Sequence, residues 1–259
     1  MPRPRPPMTL PLDIGSPGLR LAPLVLPPAF TGLVAAGSAA GLACRMAESG
    51  EADAATLLIE ERDDVIAFAV VLAPTEPLAT ARRAVFIGMQ ALADAVGAFG
   101  PPEIPVTFHW PDTLSFNGAR LGGGALHWPE GCDETETPDW LVFSAMLLAS
   151  KRDAGDPGLT PDSTSLEEEG FPNDLREVLV ESFARHLTKA FEIWDEDGAA
   201  RSTGRYLTRL ALPPGVRATI DPSGDARLVL ADGQSETLPL RPALISPSWR
   251  DPATGTVRL

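Results

Sequence analysis

The order of hydrophobic and polar positions along the chain predicts a mixture of strands and helices. Short apolar runs rich in β-branched residues are typical of buried strands. The first two such runs are residues 56–60 and 65–72, and polar residues 62–64 between them favour a tight turn. Asn117-Gly118, which lies between two later runs, is a strong hairpin signal. The predicted strands cover residues 56–60, 65–72, 106–110, 120–128 and 140–148.

Helical periodicity occupies the segments between these runs. Between residues 78 and 99 the apolar positions recur at intervals of three and four, which places them on one helix face. The same spacing recurs near the end of the chain. The predicted helices cover residues 35–48, 78–99 and 173–195.

The distribution of proline and glycine along the chain predicts three regions. Residues 1–28 are rich in proline and predict an extended arm, residues 29–210 predict the main α/β domain, and residues 211–259 predict a small β domain. Closely spaced strand-like runs with turns between them support that last assignment. These runs are residues 216–220, 226–230 and 237–240.

Charge and composition exclude several classes of function. A net charge of −14 argues against binding to nucleic acid or to an anionic membrane surface. No apolar run reaches the roughly 18 residues that a membrane span needs, and prolines interrupt the N-terminus where a signal peptide would have its apolar core. The two cysteines, Cys44 and Cys132, make no disulfide framework, so we expect a cytoplasmic protein.

One motif gives a more specific indication. The segments 109–114 (His-Trp-Pro-Asp-Thr-Leu) and 117–124 (Asn-Gly-Ala-Arg-Leu-Gly-Gly-Gly) resemble, in order and spacing, the signature of biotin and lipoate protein ligases. That signature reads roughly Lys-Trp-Pro-Asn-Asp-Leu, a short turn, then Lys-Leu-Ala-Gly. The resemblance implies an α/β (α+β) fold: a biotin/lipoate ligase-like mixed sheet flanked by helices, followed by a small C-terminal SH3-like β domain.

The resemblance also implies a ligand site beside the Gly-rich strand. A carboxylate ligand would direct its acid group toward Arg120, whose guanidinium fork matches that geometry. Each feature has a plainer alternative: a solvated arginine, a β-bulge at the glycines, or an aspartate in a turn. The candidate ligand-binding residues are Trp110, Asp112, Arg120, Gly122, Gly123 and Gly124.

The chain departs from the family at positions that carry its chemistry. Asp112 stands for Asn, Thr113 for Asp, and Arg120 for the Lys that touches the reacting carboxylate and phosphate. The family's Gly-Arg-Gly-Arg-Arg-Gly loop, which holds adenylate, is replaced by residues 61–64 (Glu-Arg-Asp-Asp), whose two aspartates repel phosphate. The only two lysines, Lys151 and Lys189, lie far along the chain from the Gly-rich turn.

Other reactive residues offer weaker signals. Cys132 is reminiscent of the octanoyl transferase nucleophile, but its acidic neighbours raise rather than lower the pKa of a thiol. The three histidines have no metal-ligand spacing, so no metal site is predicted. No catalytic residue is assigned from the sequence.

Two classes of function therefore stay open. The first is an active ligase or acyltransferase, which would use ATP and biotin or lipoate to modify a carrier lysine. The second is a protein that lacks standard adenylation and binds a small carboxylate (biotin, lipoate or a fatty acyl group) or a biotinyl or lipoyl carrier domain. Family members dock the carrier by pairing sheet edges, and the hairpin near Asn117 is one place where such an edge is expected. The missing phosphate loop and lysine favour the second class.

Overall fold

The computed structural model describes residues 19–152 and 159–259. Residues 1–18 of the predicted arm and part of the polar loop after residue 150 therefore lie outside the described residues. The rest forms a large mixed sheet with helices, and a second, smaller sheet.

The main sheet has eight strands in the order β1-β2-β3-β4-β8-β7-β6-β5. Strands β2 and β3 pair in parallel, and the other neighbours pair in antiparallel fashion. The strands are β1 (Arg20–Leu21), β2 (Thr31–Ala35), β3 (Thr56–Glu60), β4 (Val65–Leu72), β5 (Val106–His109), β6 (Thr113–Phe116), β7 (Ala119–His127) and β8 (Leu141–Leu148).

Six helices and a three-stranded antiparallel sheet complete the described residues. The helices are α1 (Ala39–Ser49), α2 (Leu78–Ala81), α3 (Ala84–Gly97), α4 (Leu175–Asp197), α5 (Ala199–Leu207) and α6 (Leu240–Ile245). The small sheet has the order β11-β10-β9, with β9 (Arg217–Ile220), β10 (Ala226–Val229) and β11 (Ser235–Leu238). No helix in residues 19–152 or 159–259 is long and apolar enough to cross a membrane.

The two faces of the main sheet are covered differently. One face, here called the helical face, packs large side chains such as Phe68 and Phe143 against α3 and α4 in the principal core. The opposite face, here called the outer face, carries smaller residues such as Ala67 and Ala125. Helix α1 covers one part of the outer face, and the C-terminal segment, residues 246–259, covers another.

The fold class inferred from the sequence is confirmed: helices flank a mixed sheet, and a small antiparallel sheet follows. Strands β3 and β4 have their predicted bounds, because their β-branched and apolar residues are buried on both faces. The helix predicted over 35–48 begins at Ala39, since the chain up to Ala35 is strand β2. The helix predicted over 78–99 is interrupted at Arg82 and Arg83, where the local hydrogen bonds run from residue i to i+3.

The predicted hairpin was incomplete. Asn117-Gly118 does form a tight turn with positive φ at both residues, but it joins β6 to β7 rather than 106–110 to 120–128. Strand β6 was missed because it is only four residues long and follows a proline. The hairpin is also not a free edge, since β5 lies beyond β6 and the stretch around Leu210 bonds to Phe108 in β5.

Candidate functional site

The Trp-Pro motif forms a buried corner between β5 and β6. The Trp110–Pro111 peptide bond is cis, and the Tyr206 hydroxyl donates a 2.9 Å hydrogen bond to the Pro111 carbonyl. Tyr206 is fully buried and stacks on Phe108 with ring centroids 4.9 Å apart. Helix α5 thus fixes the corner through Tyr206, a residue that no sequence pattern singles out.

Asp112 follows this corner and is completely buried. Its backbone carbonyl accepts a 2.9 Å hydrogen bond from Gly124 N–H, which ties the corner to β7. Neither carboxylate oxygen has a hydrogen-bond partner in normal geometry among the described residues. Burial raises the pKa of Asp112 to about 7, an effect that its own backbone N–H and the nearby Trp249 indole offset only in part. A buried carboxyl without partners is costly, and such groups are enriched at functional sites.

The three glycines of β7 permit close approaches that no side chain would allow. A Cβ on Gly122 would lie 2.0 Å from the Met146 carbonyl oxygen of β8, and one on Gly124 would meet the Phe143 ring at 2.7 Å. A Cβ on Gly123 would meet the Asp112 carbonyl at 2.4 Å and the Trp249 indole at 2.6 Å. The glycines therefore serve packing within this chain, and a β-bulge lies beside them at Leu114/Ser115.

Trp249 occupies the outer face at the Gly-rich strand. Its indole N–H donates a 3.0 Å hydrogen bond to the Gly124 carbonyl, and only 2% of the residue is exposed. Val257 is equally buried and belongs to the same cluster. The strand residues under them are Val65, Ala67, Ala125, Met146 and Leu148. The C-terminal segment thus covers the surface on which a ligand beside β7 would rest.

Arg120 lies at the start of β7 and also contacts the C-terminal segment. Its Nε donates a 3.0 Å hydrogen bond to the Arg258 carbonyl, and it forms no ion pair among the described residues. Trp110 points elsewhere: its ring packs against Phe86 and Tyr206 of the principal core, at 5.6 and 6.2 Å between centroids. Of the six candidate ligand residues, Asp112 is hydrogen-bonded to Gly124 and lies against Gly123, and Trp110 packs in the core. Ligand binding at any of the six stays a prediction.

The connection between β3 and β4 is a closed turn. Arg62 and Asp64 form a two-pronged ion pair, with Nε–Oδ1 and Nη2–Oδ2 distances of 2.9 and 2.5 Å. The hydrogen bonds from Arg62 lower the pKa of Asp64. Arg176 of α4 donates to the Arg62 carbonyl and to the carboxylate of Asp63. The turn is therefore held down at its base and presents acidic groups to solvent.

The start of α1 is likewise occupied. Ser38 caps the helix by accepting a 3.1 Å hydrogen bond from Gly41 N–H, and the Glu60 carboxylate accepts one of 2.7 Å from Ala39 N–H. Helix N-termini attract anions because of their free N–H groups and dipole. Here a buried carboxylate from β3 already fills that position.

The remaining reactive residues do not assemble into a reaction centre. Buried Lys151 donates to the Ser163 carbonyl at 2.9 Å, and exposed Lys189 pairs with Glu192 on α4. Burial, together with the surrounding carboxylates, raises the pKa of Cys132, which favours the unreactive thiol. Within the part of the chain that the structure describes, no three His, Cys, Asp or Glu side chains come together as a metal site.

An apolar cavity of about 360 Å³ lies at the end of β4, between the α2 region and α4. Its wall includes Phe191 and Trp194, and its charged groups are the carboxylates Glu76 and Asp195. The neighbouring Arg83 is paired with Glu76 at 2.8 Å and stacks on Trp194. The charged side chains on its wall are therefore carboxylates, one of them ion-paired, and the wall offers an acid no cation.

The sheet order, the flanking helices and the small following sheet define a fold of the biotin protein ligase type. The chain matches the Biotin/lipoate A/B protein ligase family over residues 26–208, and it belongs to that family. A biotin protein ligase-like protein of unknown function from Silicibacter sp. TM1040 is 30% identical, with a TM-score of 0.74 over 85% of this chain and 99% of that one.

More distant solved structures share the fold. The biotin protein ligase of Aquifex aeolicus in its apo form is 16% identical, with a TM-score of 0.60 over 79% of this chain and 92% of that one. The same enzyme in complex with biotin and ATP gives 16% identity, with a TM-score of 0.57 over 79% and 92% of the two chains. No match is found among curated proteins.

Proposed function

We propose that this family member binds a small organic acid and does not activate it as an adenylate. The acid would be of the biotin, lipoate or fatty acyl type, because the family fold and the Trp-Pro motif are kept. The observation that carries the proposal is the closed turn between β3 and β4. A loop that holds phosphate needs free backbone N–H groups and cations, whereas this turn is ion-paired internally and exposes Asp63.

Three other features support the absence of adenylation. The cation at the start of β7 is Arg120 rather than lysine. A guanidinium spreads its charge over a planar group, whereas the lysine ammonium is a compact point charge. The N-terminus of α1 is filled by Glu60. The C-terminal segment covers the outer face at Gly123, so a ligand there would have to displace Trp249.

Two measurements test the proposal. Thermal-shift assays with biotin, lipoate and octanoate are expected to show stabilisation by at least one acid, and the stabilisation should not depend on ATP. Pyrophosphate release in the presence of ATP and each acid is expected to stay at the level of a blank without protein. Acid-dependent pyrophosphate release at an enzymatic rate would overturn the proposal and establish the alternative, an active ligase that modifies a carrier lysine.

The role assigned to Arg120 by family resemblance has its own test. If the acid group of the ligand contacts Arg120, Arg120→Ala should weaken binding by about 1.5–3 kcal/mol, the scale of a charge-assisted hydrogen bond. Arg217→Ala, which removes an exposed arginine of the small sheet, is the matched control. Unchanged affinity in Arg120→Ala would assign this side chain to anchoring the C-terminal segment.

A further inference from the structure

A groove of about 650 Å³ lies between the far end of β7 and the C-terminal segment. One wall is the strand end, residues 125–128, and the other is built by residues 244–258. That second wall lies wholly beyond the stretch matched to the family, residues 26–208. The groove is thus a feature that the family motif does not account for.

Two arginines of this groove have no carboxylate partner among the described residues, although the protein carries a net charge of −14. Arg250 uses Nε to donate to the Gly255 carbonyl at 2.8 Å, and Arg258 uses Nε to donate to the Arg250 carbonyl at 3.1 Å. Each side chain is therefore oriented through one nitrogen and keeps its terminal N–H groups for another acceptor. In so acidic a protein, unpaired guanidinium groups on one groove favour an anion.

Two further titratable side chains, His127 and Asp251, line the groove. His127 is largely buried and lies 3.0 Å, measured from Nε2, from the Ser144 hydroxyl. Burial, aided by the charge of Arg250, lowers the pKa of His127 to about 4, so the imidazole is neutral at pH 7. Asp251 also lines the groove, and its Oδ1 accepts a 2.8 Å hydrogen bond from Ala253 N–H within its own turn.

Apolar side chains form much of the remaining lining, beside Ser246 and Ser248. Leu244 is buried and Trp128 is half-buried, and Ile245 at the rim is 63% exposed. Small-molecule sites typically combine such a wall with a few polar groups that fix the orientation of the ligand. The wall suits a short hydrocarbon body, and the arginines suit a carboxylate at its end.

We propose that this groove is the binding site for a small organic acid, with the carboxylate between Arg250 and Arg258 and the apolar body against Trp128 and Ile245. The inference rests on the proposed function for the class of ligand, and it differs in placing that ligand at the C-terminal segment rather than beside Arg120. It also gives the C-terminal segment a role other than covering the outer face.

Calorimetric titration of the full chain with octanoate and lipoate tests the site, with octanamide as the neutral probe. Octanoate is expected to bind at least tenfold more tightly than octanamide. Arg250→Gln and Arg258→Gln should each weaken octanoate binding by about tenfold or more, as expected for the loss of a charge-assisted hydrogen bond. Arg217→Gln, at an exposed arginine of the small sheet, should leave the affinity within about twofold.

Arg250→Gln could disturb the C-terminal turn, so the more exposed Arg258 and a spectroscopic readout provide independent checks. Saturating octanoate should shift the imidazole resonances of His127, assigned by comparison with His127→Gln, and should leave those of His109 and His186 in place. Tight binding that is lost in Arg120→Gln but kept in both groove variants would overturn the groove and leave the proposed function intact. No binding of octanoate, lipoate or biotin by the native chain would overturn both.

Discussion

The two faces of the main sheet reach similar burial by different means. On the helical face, the long helices α3 and α4 cover bulky side chains such as Phe143, which is fully buried and stacks on Phe183 at 5.8 Å. On the outer face, alanine and glycine leave room that a single indole, Trp249, fills from a segment at the end of the chain.

This difference distinguishes elements that the fold requires, such as α3 and α4, from a terminal segment that can detach while the sheet stays folded. A helix face is continuous with the principal core and cannot leave without unfolding it, whereas a terminal segment can detach at a smaller free-energy cost. Part of the family motif lies under this terminal segment: Gly123 faces Trp249, and the Asp112 carboxyl is buried nearby with no hydrogen-bond partner in normal geometry among residues 19–152 and 159–259. The outer face at Gly123 is therefore covered by a terminal segment, whereas the helical face is covered by helices of the principal core.

The largest expected effect comes from truncating the helical face. Phe143→Ala should lower the free energy of unfolding by about 3–5 kcal/mol, because it leaves a cavity under α3 and α4 that cannot collapse fully. Urea unfolding monitored by circular dichroism measures the change. Val178→Ala, on the exposed side of α4, is the control and should stay within about 0.5 kcal/mol of the native chain. Equal losses in the two variants would remove the distinction between core and surface of α4.

A smaller effect is expected on the outer face. Trp249→Ala should cost about 2 kcal/mol, less than Phe143→Ala, because the C-terminal segment can dissociate before the sheet unfolds. Hydrogen exchange should quicken over residues 246–259 and remain slow in β4 and β8. Leu259→Ala, at a residue 46% exposed, is the matched control for the segment. A loss as large as that of Phe143→Ala, with exchange quickened throughout the sheet, would make the segment an integral part of the core.

The contrast between the faces also explains what the sequence could predict. Strands β3 and β4 were placed correctly because burial on both faces imposes continuous apolar runs that are visible locally. The Trp-Pro motif and the Gly-rich strand were visible for a different local reason, since one hairpin fixes the spacing between them. The small sheet was found through its turns, which contain Gly224 and Gly233 at positive φ.

Contacts between residues far apart in the chain left no comparable signal in the sequence. Trp249 reaches the Gly124 carbonyl across 125 positions of sequence, and nothing near it marks an aromatic side chain that covers a sheet. The burial of Asp112 depends on the same long-range contacts, so its position in the motif was evident but its unpaired state was not. Helix α5 was missed because it follows α4 after Gly198 alone, where a single periodic segment was predicted to end.

The smallest expected effect concerns the carboxyl of Asp112, which is buried near the outer face. Burial raises the pKa of Asp112 from its usual 3.8 to about 7, so the native state keeps a proton that the unfolded chain releases between those values. This contribution to stability is complete below about pH 4 and is lost as pH rises toward 7. Asp112→Asn, which restores the family's residue type, removes the titration. It should be about 1–2 kcal/mol more stable than the native chain at pH 8 and nearly equal to it at pH 4.

The titration of His127 changes the stability in the opposite direction as pH rises. Its effect has to be separated from that of Asp112. Its pKa is lowered to about 4, so its contribution grows as pH rises through 4 to 6.5, but it is present in both proteins and cancels in their difference. Urea unfolding of the native chain and Asp112→Asn at pH 4, 6 and 8 gives that difference directly, and Asp139→Asn serves as the control at an exposed carboxylate. A difference that stays constant across the three pH values would mean that Asp112 has a partner in solution. Solvent or a ligand would then reach beneath the C-terminal segment, and the outer face would already be open.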